Sequence, residues 1–125
     1  MRSISKNRMA GMVAAAGATL MFASGTAQAD AAVGISDGSG YATWTENGDT
    51  LTVCDTASDG WGVRGYIYRP YAGNPGNGDV LIKASSGGNG CVAVSKDIAE
   101  NIAISIKVVN YKGDEIILPA WRAAR

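Results

Sequence analysis

The sequence predicts an all-β protein: an antiparallel β-sandwich of about seven strands, immunoglobulin-like in arrangement, held by one disulfide. A small barrel is the alternative architecture. Three observations carry the prediction. Short apolar/polar alternations recur at roughly ten-residue spacing, turn residues separate them, and no stretch shows a convincing helical period. The two cysteines, Cys54 and Cys91, close a loop that a small exported domain uses as a staple.

The elements follow in order. Residues Met1–Arg8 carry Arg2, Lys6 and Arg8, an uncharged Ala/Gly/Met-rich run reaches about Ala23, and Ala27-Gln28-Ala29 gives a small-x-small cleavage site. Residues 1–29 therefore read as a secretory signal. The apolar run is shorter than the ~20 residues of a membrane span. Asp30–Ser39 is small and Gly/Ala/Ser-rich, with only Val33 and Ile35 to bury, and reads as a flexible arm. Residues 40–125 form the domain.

Tyr41–Glu46 alternates, Asn47-Gly48 reads as a two-residue hairpin turn, and Thr50–Asp55 follows with Leu51 and Val53 on one face. Asp59-Gly60 turns the chain into a strand at about Gly62–Arg69. There Val63, Gly65 and Ile67 oppose Arg64, Tyr66 and Tyr68. Pro70–Gly78 holds two Pro, three Gly and two Asn and reads as a loop. Val80–Ala84, Cys91–Val94, Ile102–Asn110 and Glu115–Ala120 complete the set, with a turn at Lys112-Gly113-Asp114 and Trp121 as a plug at the end.

Composition excludes several function classes. The chain has 125 residues, 11 basic and 11 acidic, and no His. The leader removes three basic residues and no acid, so Asp30–Arg125 keeps 8 against 11, a net charge of −3. Without His there is no Ser-His-Asp triad, no Cys-His pair and no imidazole metal ligand. The negative charge argues against nucleic acid, and nothing after residue 29 resembles a membrane span. Closing the Cys54–Cys91 loop is worth roughly 4 kcal/mol in the chain-entropy picture, and the cysteines lack the C-x-x-C spacing of a redox pair.

Asp49, Asp55, Asp59 and Asp37 are candidate calcium ligands by type. Their spacing matches no EF-hand loop, and Asp-Gly belongs to ordinary turns, so no metal and no cofactor is expected. Glu46, Glu100 and Glu115 with eight Asp offer no favoured pair for acid–base work, and no catalytic residue is assigned. The best recognition candidates are Arg64, Tyr66 and Tyr68 on one strand face, with Arg69 and Tyr71 after them, because Tyr and Arg give large, directional contact surfaces. Val33 and Ile35 join them if the arm adds as a strand to a partner. Sugar stacking on Trp44, Trp61 or Tyr71 is a further possibility by residue type.

The run Asn47-Gly48-Asp49-Thr50-Leu51-Thr52-Val53-Cys54-Asp55-Thr56-Ala57-Ser58-Asp59-Gly60-Trp61-Gly62-Val63, with a later Cys and a Trp near the C-terminus, resembles a group of small secreted actinobacterial proteins, of Streptomyces especially. The resemblance covers most of Asp30–Trp121, with its strong motif in Gly48–Val63. It implies an exported β-sandwich. Related proteins serve as adaptors in the umbrella-shaped antibacterial toxin particles of Streptomyces, joining a lectin subunit to a repeat stalk on the large toxin chain. The expectation is thus an extracellular, non-catalytic binding or adaptor module whose partners are other secreted proteins. The alternative is an inhibitor of an extracellular enzyme that inserts the Arg69–Gly78 loop into a cleft.

Overall fold

The computed structural model describes residues 30–125; the signal-peptide reading of residues 1–29 lies outside them. Where the alternation is clearest, as in Thr50–Asp55 and Gly62–Ile67, the chain runs as a strand with its apolar set inward. Eight strands result: β1 Ala31–Gly34, β2 Gly40–Thr45, β3 Thr50–Asp55, β4 Gly62–Tyr71, β5 Asn74–Ser86, β6 Cys91–Ser95, β7 Ser105–Lys112 and β8 Glu115–Ala123. They form two four-stranded antiparallel sheets, ordered β1-β2-β3-β6 and β5-β4-β7-β8. The expected β-sandwich is the fold. Among the described residues there is no helix, and so none long and apolar enough to cross a membrane.

The core lies between the sheets. Ala42, Trp44, Leu51 and Val53 from the first sheet meet Val63, Ile67, Ile82, Ile106 and Val108 from the second. Gly65 lets the layers approach, since a Cβ there would stand 2.6 Å from Val53 Cγ2. The second sheet follows the C′-C-F-G order of an immunoglobulin variable domain. The first does not: β2 and β3 are consecutive and hairpin-joined. Cys54 and Cys91 face each other directly in the β3–β6 ladder, so the disulfide staples neighbours within one sheet.

Several expectations are corrected. Asp30–Ser39 is not a free arm. Its residues 31–34 pair with β2, placing Ala31 opposite Trp44, and Ile35 is only 4% exposed in the core. Small side chains suit an edge strand lying close against its neighbour. The β2–β3 turn spans Glu46–Asp49, with Thr45 opposite Thr50 and positive φ at Gly48 and Asp49, not at Asn47. Pro70–Gly78 is not an open loop but the end of a long hairpin. Pro70 pairs with Gly78 and Tyr71 with Asn74, with register shifts absorbing the irregular residues. The strand expected from Ile102 starts at Ser105, and Trp121 lies on β8, 45% exposed, not as a plug.

The connection from Lys96 to Ile104 has no regular structure, yet it is tied down. Ile98 is buried, its N–H donates to Asp49 Oδ2 at 2.8 Å, and the Lys96 N–H donates to the Asp49 carbonyl. Arg125 clasps it from the other side, donating from Nη1 to the carbonyls of Ala99 (2.6 Å) and Ile102 (3.0 Å) and pairing with Glu46 at 2.8 Å. Glu46 also accepts from Trp44 Nε1 at 2.8 Å. Burial pushes the Glu46 carboxyl up, but the bonds from Arg125 and Trp44 outweigh it and hold the group below its ordinary value.

Candidate functional site

The outer face of the second sheet collects the aromatic and cationic side chains. β4 and β7 bring Tyr66 opposite Lys107 and Arg64 opposite Val109, while β8 places Trp121 opposite Lys107. Three partly or fully buried rings lie under cations. The Arg64 guanidinium is 4.1 Å from the Tyr111 ring centre, Lys107 is 5.7 Å from that of Tyr68, and Lys112 is 5.7 Å from that of Trp61. Arg64 Nε also donates to Ser85 Oγ at 2.9 Å, which fixes the guanidinium over the ring.

The β4–β5 hairpin folds back over this face. Tyr68 donates its hydroxyl to the Pro75 carbonyl at 3.0 Å, and Lys107 Nζ donates to Asn77 Oδ1 at 2.7 Å. Gly76 lies against Trp121, where a Cβ would come within 2.9 Å of the indole nitrogen. Tyr68 is consequently only 2% exposed. Burial pushes its hydroxyl pKa up, partly opposed by a bond with Ser105, and burial pushes the Lys107 ammonium down. A cleft of about 400 Å³ remains beside the hairpin, with Tyr66, Val80, Lys107, Ile116 and Pro119 in its walls.

The sequence-predicted recognition residues are therefore divided. Tyr66 and Tyr68 do share a cleft, but Tyr68 is covered by its own hairpin and Ile35 by the core, so neither is free to meet a partner. Arg64 is half-buried between Ser85 and Tyr111. Val33 packs against the core. Arg69 and Tyr71 are exposed near the hairpin tip, where the Tyr71 hydroxyl donates to Asp79 Oδ1 at 3.2 Å. Trp44 is fully buried and offers no sugar platform. Asp37, Asp55 and Asp59 each accept a backbone N–H two residues on, from Ser39, Ala57 and Trp61, which makes them turn residues.

Sequence reasoning placed the Glu115–Ala120 strand, which is part of β8, but did not single out its exposed side chains. On β8, Ile116, Leu118 and Trp121 are exposed, and Val80 is exposed on the opposite edge strand, β5. Between Ile117 and Ala120 the strand places two residues, Leu118 and Pro119, opposite the single Val109, a bulge. Leu118 adopts φ 54° there. A left-handed conformation is uncommon for any side chain but Gly, Asn or Asp, and costs a leucine roughly 1–2 kcal/mol. The available signal was the run Ile116-Ile117-Leu118-Pro119, which breaks alternation and puts a Pro inside a strand, the mark of an edge or a bulge.

Comparison of the chain with protein-family models, with curated proteins and with solved structures returns no match. The functional reading therefore rests on the residues themselves.

Proposed function

We propose that this chain is an exported, non-catalytic module that joins other extracellular proteins, and that the β8 edge is its principal contact. Leu118 carries the reading. It holds a left-handed backbone that glycine would occupy without cost, and it is still 38% exposed. Neither backbone preference nor burial explains a leucine there, whereas an apolar anchor offered to a partner does. Ile116 and Trp121 extend the apolar surface along the same strand, and Lys107, opposite Trp121, places a cation beside it. An adaptor of the umbrella-particle type is the specific form that the sequence resemblance suggests.

The test is capture of secreted proteins from the native culture supernatant on the immobilised protein, compared with Leu118→Gly. The variant relieves the backbone conformation and removes only a half-exposed side chain, so its stability stays within about 1 kcal/mol of the parent. The expected result is stoichiometric recovery of one or more large secreted chains by the parent and their loss with Leu118→Gly. Equal recovery by both proteins refutes the β8 contact, and a bait that returns alone refutes the joining role. The inhibitor reading keeps one supporting observation: the hairpin carrying Arg69 and Tyr71 is pinned by Tyr68–Pro75 and Lys107–Asn77, hence preorganised. It predicts recovery of a single hydrolase, with Arg69→Ala abolishing inhibition.

A further inference from the structure

Three carboxylates unrelated to the recognition surface converge at one end of the sandwich. Glu46 and Asp49 bracket the β2–β3 turn, and Glu100 comes from the Lys96–Ile104 connection. One oxygen from each lies within 4.8 Å of the other two. Oxygens about 2.4 Å from a shared calcium ion stand at most about 4.8 Å apart, so the three fit a single coordination sphere. They come from positions 46, 49 and 100, a set that the Asp spacing in the sequence does not suggest.

A second observation points to a ligand. Asp49 is 7% exposed, and while Oδ2 accepts the Ile98 N–H at 2.8 Å, Oδ1 is buried with no hydrogen-bond partner. A buried carboxylate oxygen without a donor is costly and requires an explanation, and its residue is one of the three that converge. The neighbouring cleft, about 490 Å³, is walled by further oxygen donors, including Asn47, Ser95 and Asp97. Lys96 also lines the cleft, so the four carboxylates of Glu46, Asp49, Asp97 and Glu100 against the two cations Lys96 and Arg125 leave two negative charges for a divalent ion. The donor set is all oxygen, without thiolate or imidazole, which suits a hard cation. Donors drawn from a turn and a connection without regular structure suit the variable coordination of calcium better than magnesium, which demands near-ideal octahedral geometry.

We infer that Glu46, Asp49 and Glu100 form a calcium site that ties the β2–β3 turn to the Lys96–Ile104 connection. Extracellular calcium modules bind at about 10⁻⁴–10⁻³ M, which sets the range to test. The purified protein is melted in EDTA and in 5 mM calcium chloride, and titrated with terbium while exciting tryptophan, because Trp44 bonds directly to Glu46.

Calcium should raise Tm by about 5 °C or more, and calcium should displace the sensitised terbium emission. Glu100 is exposed, so Glu100→Gln should melt like the parent in EDTA and lose both responses; Asp114→Asn, on the β7–β8 turn, should keep them. Absence of any calcium response up to 10 mM overturns the inference. So does a full response in both Glu100→Gln and Asp49→Asn, which would place the ion elsewhere. An equal shift with magnesium overturns the calcium assignment.

Discussion

Replacing Arg125 by Ala should destabilise the domain far more than its place in a short polar tail suggests. Its side chain is 15% exposed and that of Glu46 only 6%, so the pair is close to the buried limit. Removing one partner of a buried pair costs about 3–5 kcal/mol, because the other charge stays unpaired; an exposed pair is worth at most about 1 kcal/mol. Glu46 keeps the Trp44 N–H, which moderates the loss, while the carbonyls of Ala99 and Ile102 lose their donor. The expected cost is about 3 kcal/mol, a large part of the ~5–15 kcal/mol typical of a whole domain. With a urea slope near 1 kcal/mol/M, the unfolding midpoint should fall by roughly 3 M. Arg125→Lys keeps the charge but cannot reach Glu46 and both carbonyls at once, and should cost about 1–2 kcal/mol. In a Glu46→Gln background the Arg125→Ala cost should shrink by at least about 1 kcal/mol. A loss below 1 kcal/mol for Arg125→Ala in urea melts, with no coupling to Glu46, would refute the anchoring argument.

Two other outcomes follow from the packing and the turns. Gly65→Ala forces a methyl to within 2.6 Å of Val53 Cγ2 between the sheets and should cost about 1–3 kcal/mol in urea unfolding, whereas Gly73→Ala, with open space around it, should be near neutral. Asp37 is held below its ordinary value of 3.8 by hydrogen bonds from Ser39. Its contribution to stability is therefore present above pH 3.8 and lost as pH falls through the lower folded value, and Asp37→Asn should flatten that part of an acid-stability profile.

Legibility followed the physics of each segment. β3 was read residue for residue, because Thr50–Asp55 alternates cleanly between two turn signals. β1 was not, since Ala31-Ala32-Val33-Gly34 has too little apolar area to show a period and is ordered by its ladder with β2. The first half of β5, Asn74–Asp79, has the composition of a loop; it pairs because the growing hairpin imposes partners on it. At the site, Tyr66 and Tyr68 have the same parity and the same sequence signal. They differ only because Pro75–Asn77 folds over the second, a tertiary event invisible in alternation. The Glu46–Asp49–Glu100 cluster was illegible for a similar reason: Glu100 reaches the turn through a connection with no regular period.

The edges of the two sheets bear on how a partner would dock. An unpaired edge invites strand addition unless it is short, covered or distorted. β1 is four residues long and already paired on one side, and Arg122 Nη1 donates to the Ala32 carbonyl at 3.2 Å. β6 is five residues long and stapled through Cys91. β8 is nine residues long, but Pro119 removes one N–H and the bulge at Leu118 breaks the spacing of the rest. Its backbone is thus a poor template for a ninth strand, while its side chains remain open. A partner that docks there engages Ile116, Leu118 and Trp121 rather than the main chain. That is why truncating the Leu118 side chain, without altering the strand, is the perturbation that separates side-chain recognition from β-augmentation.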